Sequence, residues 1–176
     1  MADTPKDAIA LLKADHRAVE ALFEKFESAT AAREQKKLAT QICTELVIHT
    51  IIEEEIFYPA LKGKIEDDML DEAYVEHDGA KLLIGQIVAG EPGEDFYEAK
   101  VKVLSEEIKH HVHEEEMPSE GMFAQARAAD VDLEALGEQM AARKAALKAE
   151  FEANGLPTPM ARTLTPVEIE LGEPVG

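Results

Sequence analysis

His49-Thr-Ile-Ile-Glu53 and its counterpart His111-Val-His-Glu-Glu115 are the stretches that decide the fold. Each sets an imidazole and a carboxylate four residues apart, and on an α-helix that spacing stacks the two side chains one turn above each other on one face. The flanking residues carry both faces onward: Ile42, Leu46, His49, Glu53, Ile56 and Ala60 form one stripe, and Tyr97, Val101, Leu104, Ile108, His111 and Glu115 form another. Apart from the pairs themselves these stripes are apolar, so they are the faces that a helix buries. Two His/Glu pairs on inward faces point to one metal site between helices.

Two more helices flank these. Ile9, Leu12, His16, Val19, Phe23 and Phe26 predict a helix that opens at Thr4-Pro5, with Asp7 as an early acid, and runs to about residue 29. Thr30 reads as the cap of the second helix, about 32–61, which Gly63 ends. A third helix, about 66–88, carries His77 among Leu70, Ala73, Ala80, Ile84 and Ile87. Gly90-Glu-Pro-Gly93 breaks the chain and turns the fourth helix, about 94–117, back antiparallel. Pro118 has no N–H for the carbonyl of Glu114, so that helix kinks or stops after its His/Glu pair.

Beyond it, 119–129 reads as a short helical piece. Asp132 caps a helix to Asn154-Gly155 with Leu133, Leu136, Met140, Leu147 and Phe151 as its apolar residues, expected on the outside of the bundle or on another subunit. Residues 156–176 carry four prolines and read as an extended or disordered tail, in which Val167-Glu-Ile-Glu-Leu171 alternates like a docking strand.

The expected fold is therefore all-α: an up-down-up-down four-helix bundle over residues 1–130, an accessory C-terminal helix over 131–155 and an extended tail over 156–176. Ala, Glu, Lys and Leu dominate, Trp is absent, and 176 residues suffice for one core without staples. Eighteen basic residues against 37 acidic ones leave a formal charge of −19, which repels phosphate backbones and anionic lipid, so neither nucleic acid nor membrane is an expected partner. Cys43 is the sole cysteine; it reads as small core filler and rules out an intrachain disulfide or a thiolate cluster. The N-terminal residues show no basic region followed by an apolar core, and no run approaches the ~20 apolar residues of a membrane span. A cytoplasmic protein is expected.

Each of the four inward stripes contains one histidine: His16, His49, His77 and His111. A carboxylate in a bundle core is costly unless paired or metal-bound, and the stripes of Glu53 and Glu115 offer no inward Arg and one inward Lys candidate, Lys81. Two divalent or trivalent ions bridged by the two carboxylates would satisfy charge and desolvation together. Imidazole with carboxylate suits iron, manganese or zinc.

These residues carry a resemblance. Asp15-His16-Arg17, His49-Thr-Ile-Ile-Glu-Glu-Glu-Ile-Phe-Tyr-Pro59, Glu76-His77 and His110-His-Val-His-Glu-Glu-Glu116 together resemble the hemerythrin-like HHE cation-binding domains over about residues 5–125. The resemblance implies two iron ions with an oxo or hydroxo bridge, ligated by His16, His49, His77 and His111 with Glu53 and Glu115 bridging; manganese or zinc could substitute. It implies a protein that binds dioxygen, peroxide or a similar small oxidant, as a sensor or in peroxide chemistry. The alternative is an iron store or donor, or a ferroxidase; enzymatic activity, peroxide-consuming or ferroxidase, stays open.

Oxygen-carrying members have a second histidine one turn after the third-helix one, where this chain has Lys81. One iron then lacks a nitrogen ligand unless Tyr74, Glu54 or a water takes the place, which tilts the reading from carriage toward chemistry. Met117-Pro118 stands where the family has Phe-Pro. Around the ligands, Tyr74, Lys81, Glu54 and His110 are candidates for a second layer. His110 and His113 lie about 100° and 200° around the helix from His111 and cannot share its inward face. Glu55, Glu114 and Glu116 read as solvated face, Tyr58 as a boundary aromatic, and the C-terminal helix or tail as the contact of a candidate homodimer.

Overall fold

A computed structural model describes residues 7–165. The elements are α1 (Ala8–Ser28), α2 (Ala32–Ile52), a π-helical turn (Glu53–Phe57), α3 (Tyr58–Leu61), α4 (Asp67–Ala89), α5 (Tyr97–Glu116), α6 (Met122–Ala128) and α7 (Leu133–Asn154). Every regular element among the described residues is helical. α1 packs on α2, α2 on α4, α4 on α5 and α5 back on α1, which closes a four-helix ring. Ile9, Leu12, Ile42, Ile84 and Leu104 are fully buried inside it. Each such side chain stabilises the fold by about 1.5–3 kcal/mol.

The helix ends differ from the sequence reading. α1 is capped by Asp7, whose Oδ1 accepts from the backbone N–H of Ala10 at 2.7 Å. Asp7 is thus the cap, not an acid inside the first turn, and Thr4-Pro5 lie outside the described residues. Thr30 does not cap α2, whose first turn follows Ala31 without a side-chain hydrogen bond. α5 begins at Tyr97 because Glu94 to Phe96 form a turn, with Phe96 in the left-handed region at φ 68°. α5 stops at Glu116, two residues before Pro118.

The expected continuous second helix is interrupted. Pro59 cannot donate a backbone hydrogen bond, and in an α-helix its ring would press on the carbonyl four residues back. The chain widens ahead of it instead: the N–H of Tyr58 reaches the carbonyl of Glu53, an i→i+5 bond. In an unbroken α-helix Tyr58 would stand about 140° around from Glu53. The π turn brings it back over Glu53, so both are fully buried.

α7 lies on the outside of the bundle against α1 and α2. Its N-cap is Asp132, which accepts from Ala135 N–H at 3.0 Å. Gly137 is where it meets the start of α1; a Cβ there would sit 2.8 Å from the backbone of Ala8. The chain then runs without regular structure to residue 165, and the alternating stretch 167–171 lies outside the described residues. No described helix is long and apolar enough to cross a membrane.

Candidate metal centre

Each helix of the ring delivers one imidazole to its middle. His16, His49, His77 and His111 are all buried, as are Glu53 and Glu115. Their donor atoms fall into two groups, His16, His49, Glu53 and Glu115 in one and Glu53, His77 and His111 in the other. The Nε2 atoms of His16 and His49 are 3.2 Å apart, and those of His77 and His111 are also 3.2 Å apart. Glu53 Oε2 lies 3.2 Å from His49 Nε2 and 3.3 Å from His77 Nε2, so one carboxylate spans both groups. Glu115 mirrors it, with Oε2 3.3 Å from His16 Nε2 and Oε1 3.7 Å from His111 Nε2.

The outward nitrogens face carboxylates. His16 Nδ1 donates to Glu116 Oε1 at 2.7 Å, His111 Nδ1 to Glu76 Oε2 at 2.7 Å and His77 Nδ1 to Glu54 Oε1 at 3.1 Å. His49 Nδ1 has Asp15 Oδ2 at 3.7 Å, and Asp15 is itself held by Lys144. A carboxylate on Nδ1 fixes the tautomer that leaves the Nε2 lone pair facing inward, the arrangement of metal-binding histidines.

The same carboxylates dominate the electrostatics of the rings. Burial works against a charged imidazole at His49, yet Glu53 and Asp15 outweigh it and hold the ring at about 10; at His111, Glu115 and Glu76 overcome burial and hold it at about 9. Burial likewise opposes ionisation of Glu53, but His49 and His77 keep its carboxyl well below the usual range. Glu54, Glu76 and Glu116 are lowered against burial by the histidines they serve. Oε1 of Glu53 and Oε2 of Glu115 are buried without hydrogen-bond partners. Such atoms are costly unless a cation meets them, so the donor set fits bound cations of imidazole-and-carboxylate preference.

The second layer differs from the sequence reading at several places. Glu54 is no spare ligand: Oε1 accepts from Lys81 Nζ at 2.6 Å as well as from His77, and Oε2 meets Arg162 Nε at 3.1 Å. Lys81 turns outward, to Glu54 and to Asp78 Oδ1 at 3.1 Å. Tyr74 is half-buried and packs edge-on against the Tyr58 ring at 5.3 Å. His110 is 63% exposed and touches Glu76, not His111.

The phenol at the site is Tyr58, which is no boundary aromatic. Its hydroxyl lies 3.2 Å from His77 Nε2, 3.3 Å from Glu115 Oε1 and 3.4 Å from Glu53 Oε2. Burial first, then the Glu53 and Glu115 carboxylates, hold its proton on far above the ordinary phenol range. Sequence spacing hides this residue because only the π turn brings it inward. Pro59, directly after it, was the available signal. The supporting acids Asp15, Glu76 and Glu116 were missed as well.

A cavity of about 20 Å³ touches all four imidazoles, with Val19, Leu46 and Ile108 among its walls. That is room for about one water-sized molecule.

A family model described as the hemerythrin HHE cation binding domain matches residues 7–126. The chain is also similar to the crystal structure of a hemerythrin HHE cation binding domain-containing protein from Mycobacterium kansasii, at 25% identity and a TM-score of 0.70, over 85% of this chain and 94% of that one. A curated protein of Nostoc sp. named DNA nickase is 27% identical over 106 residues, 60% of this chain. The match spans only 30% of that relative's length.

Proposed function

The chain belongs to the hemerythrin HHE cation-binding domain family, and from that premise we propose that it is a non-haem di-iron protein that handles dioxygen or a related small oxidant such as peroxide. The observation that carries the reading is the 20 Å³ cavity against His16, His49, His77 and His111. It has room for about one water-sized molecule, the scale of a diatomic oxidant. Iron bound there would supply the electrons that reduction of such an oxidant requires.

His16, His49, Glu53 and Glu115 would hold one ion; His77 and His111 would hold the other, sharing Glu53 and Glu115 and taking Tyr58 where Lys81 has removed a histidine. The chain's own residues do the rest. Val19, Leu46 and Ile108 limit water around the cavity, and the Tyr58 O–H stands within hydrogen-bond reach of the space between the two carboxylates. A phenol so placed would give up its proton on binding a cation, and that proton could pass to an oxygen atom nearby. Glu54, Glu76 and Glu116 keep the imidazoles oriented while charge in the centre changes.

A nucleic-acid function, which the name of the Nostoc relative would suggest, is opposed by the net charge of −19. Storage or oxidation of iron is the second reading, favoured by an acidic cleft that leads to Glu115. The test is to load the protein anaerobically with ferrous iron, then add dioxygen or peroxide while following the optical spectrum and oxidant consumption. Catalytic consumption by wild type, continuing beyond the iron added, that His49→Ala abolishes is expected. Inert iron under both oxidants would overturn the proposal, and oxidation that stops once added iron is exhausted would favour the second reading.

A further inference from the structure

Outside the buried centre, one further set of ligating side chains converges among the described residues. Glu76 on α4 and His110 and Glu114 on α5 each present a donor atom, all within 4.8 Å of one another. His110 Nε2 lies 3.3 Å from Glu114 Oε1 and 3.6 Å from Glu76 Oε1. Glu76 faces both ways, because its other oxygen, Oε2, accepts from His111 Nδ1 at 2.7 Å. One carboxylate therefore joins the surface set to a histidine of the buried centre.

A cleft of about 250 Å³ runs inward beside this set. Glu66, Asp68, Glu72, Glu76 and Glu114 line it, no Lys or Arg does, and His111 and Glu115 lie at its inner end. Glu115 is 2% exposed, so the cleft ends on a buried acid of the centre. Walls of one charge sign concentrate counter-ions and speed their arrival.

We propose that Glu76, His110 and Glu114 form an outer divalent-cation site through which the buried centre is loaded. The proposal rests on the reading of that centre as a metal site. One imidazole nitrogen and two carboxylate oxygens suit ferrous iron, zinc or cobalt. Three donors that remain open to water hold an ion loosely, and an ion held loosely can move on. The buried groups, with more donors and no solvent, are where it stays.

The test uses the full chain and Co²⁺ as probe. Equilibrium dialysis of protein whose buried centre is already loaded should find one more labile Co²⁺ per wild-type chain than per His110→Ala/Glu114→Ala chain. Metal-free double variant should fill the buried centre about tenfold more slowly than wild type, to the same final count of tightly held ions. Equal labile counts, or equal loading rates, would overturn the outer site. Failure of the buried-centre reading shows separately: His49→Ala/Glu53→Ala would then leave the count of tightly held ions unchanged.

Discussion

The hydroxyl of Tyr58 lies 3.2 Å from Nε2 of His77, although 19 residues and a helix break separate them in the chain. It stands beside the donor group that Lys81 deprives of a histidine. Tyr58→Phe removes the oxygen and keeps the ring that packs on Tyr74 and Phe57. Iron content should stay close to wild type, because His77, His111 and the two carboxylates remain. The ferric protein should lose any visible absorption that a tyrosine ligand contributes. An unchanged visible spectrum in Tyr58→Phe would remove Tyr58 from the ligand set.

Glu116 contacts His16 from 100 residues away, and the same carboxylate meets Arg17 Nη2 at 2.7 Å. Glu116→Ala leaves the His16 ring free to turn and to adopt the wrong tautomer. Metal affinity should fall about 10- to 100-fold, the usual cost of losing such a support. Competition with a chelator measures it, and an affinity equal to wild type would show that the ring is held by packing against Phe123 alone.

How much of this was legible in the sequence follows a pattern. His16, His49, His77 and His111 each interrupt an apolar stripe on their own helix, so spacing alone brought them and the two glutamates to one interior. The supporting acids obey no such rule. Asp15 precedes His16 but serves His49, Glu76 precedes His77 but serves His111, and Glu54 and Glu116 each follow a candidate bridge but serve histidines on other helices. Each acid is next in sequence to one candidate ligand and next in space to another, and that second relation exists only once the helices pack. Tyr58 was hidden for a different reason, since a periodicity of 3.6 residues does not survive a π turn.

Asp78 gathers residues 162–164. Its Oδ2 accepts from Arg162 N–H at 2.7 Å, Thr163 Oγ1 at 2.8 Å and Leu164 N–H at 3.0 Å, while Oδ1 takes Lys81. Burial would raise this carboxyl, but the Thr163 and Leu164 donors and Lys81 hold it far below the usual range. Asp78→Ala should cost about 1–3 kcal/mol, because the part-buried donors of residues 162–164 lose their acceptor and Lys81 keeps only Glu54. Urea unfolding measures the loss. Limited proteolysis should cut the variant near Arg162 first, and equal cleavage of both proteins would show that the tail is held elsewhere.

Cys43 is fully buried, and burial pushes its thiol up to about 12. A group raised above its unfolded value of about 9 leaves stability intact below that pH and withdraws it as pH rises toward 12. By pH 10 the thiol alone should cost about 1 kcal/mol. Cys43→Ala should lose some packing stability at every pH but show that much less decline between pH 8 and 10. A decline as steep as that of wild type would assign the alkaline loss to other groups, Tyr97 first among them, since burial also carries its hydroxyl to about 12.

The central claim is that Glu53 and Glu115, buried with unpartnered oxygens among four histidines, are held in place by bound cations. Elemental analysis of the protein after growth in iron-supplemented medium tests it most directly. About two ions per chain are expected for wild type, with loss of tightly held metal in a Glu53→Ala/Glu115→Ala variant that keeps its helical circular dichroism. A wild-type protein without stoichiometric metal, or a variant that retains the full complement, would contradict it.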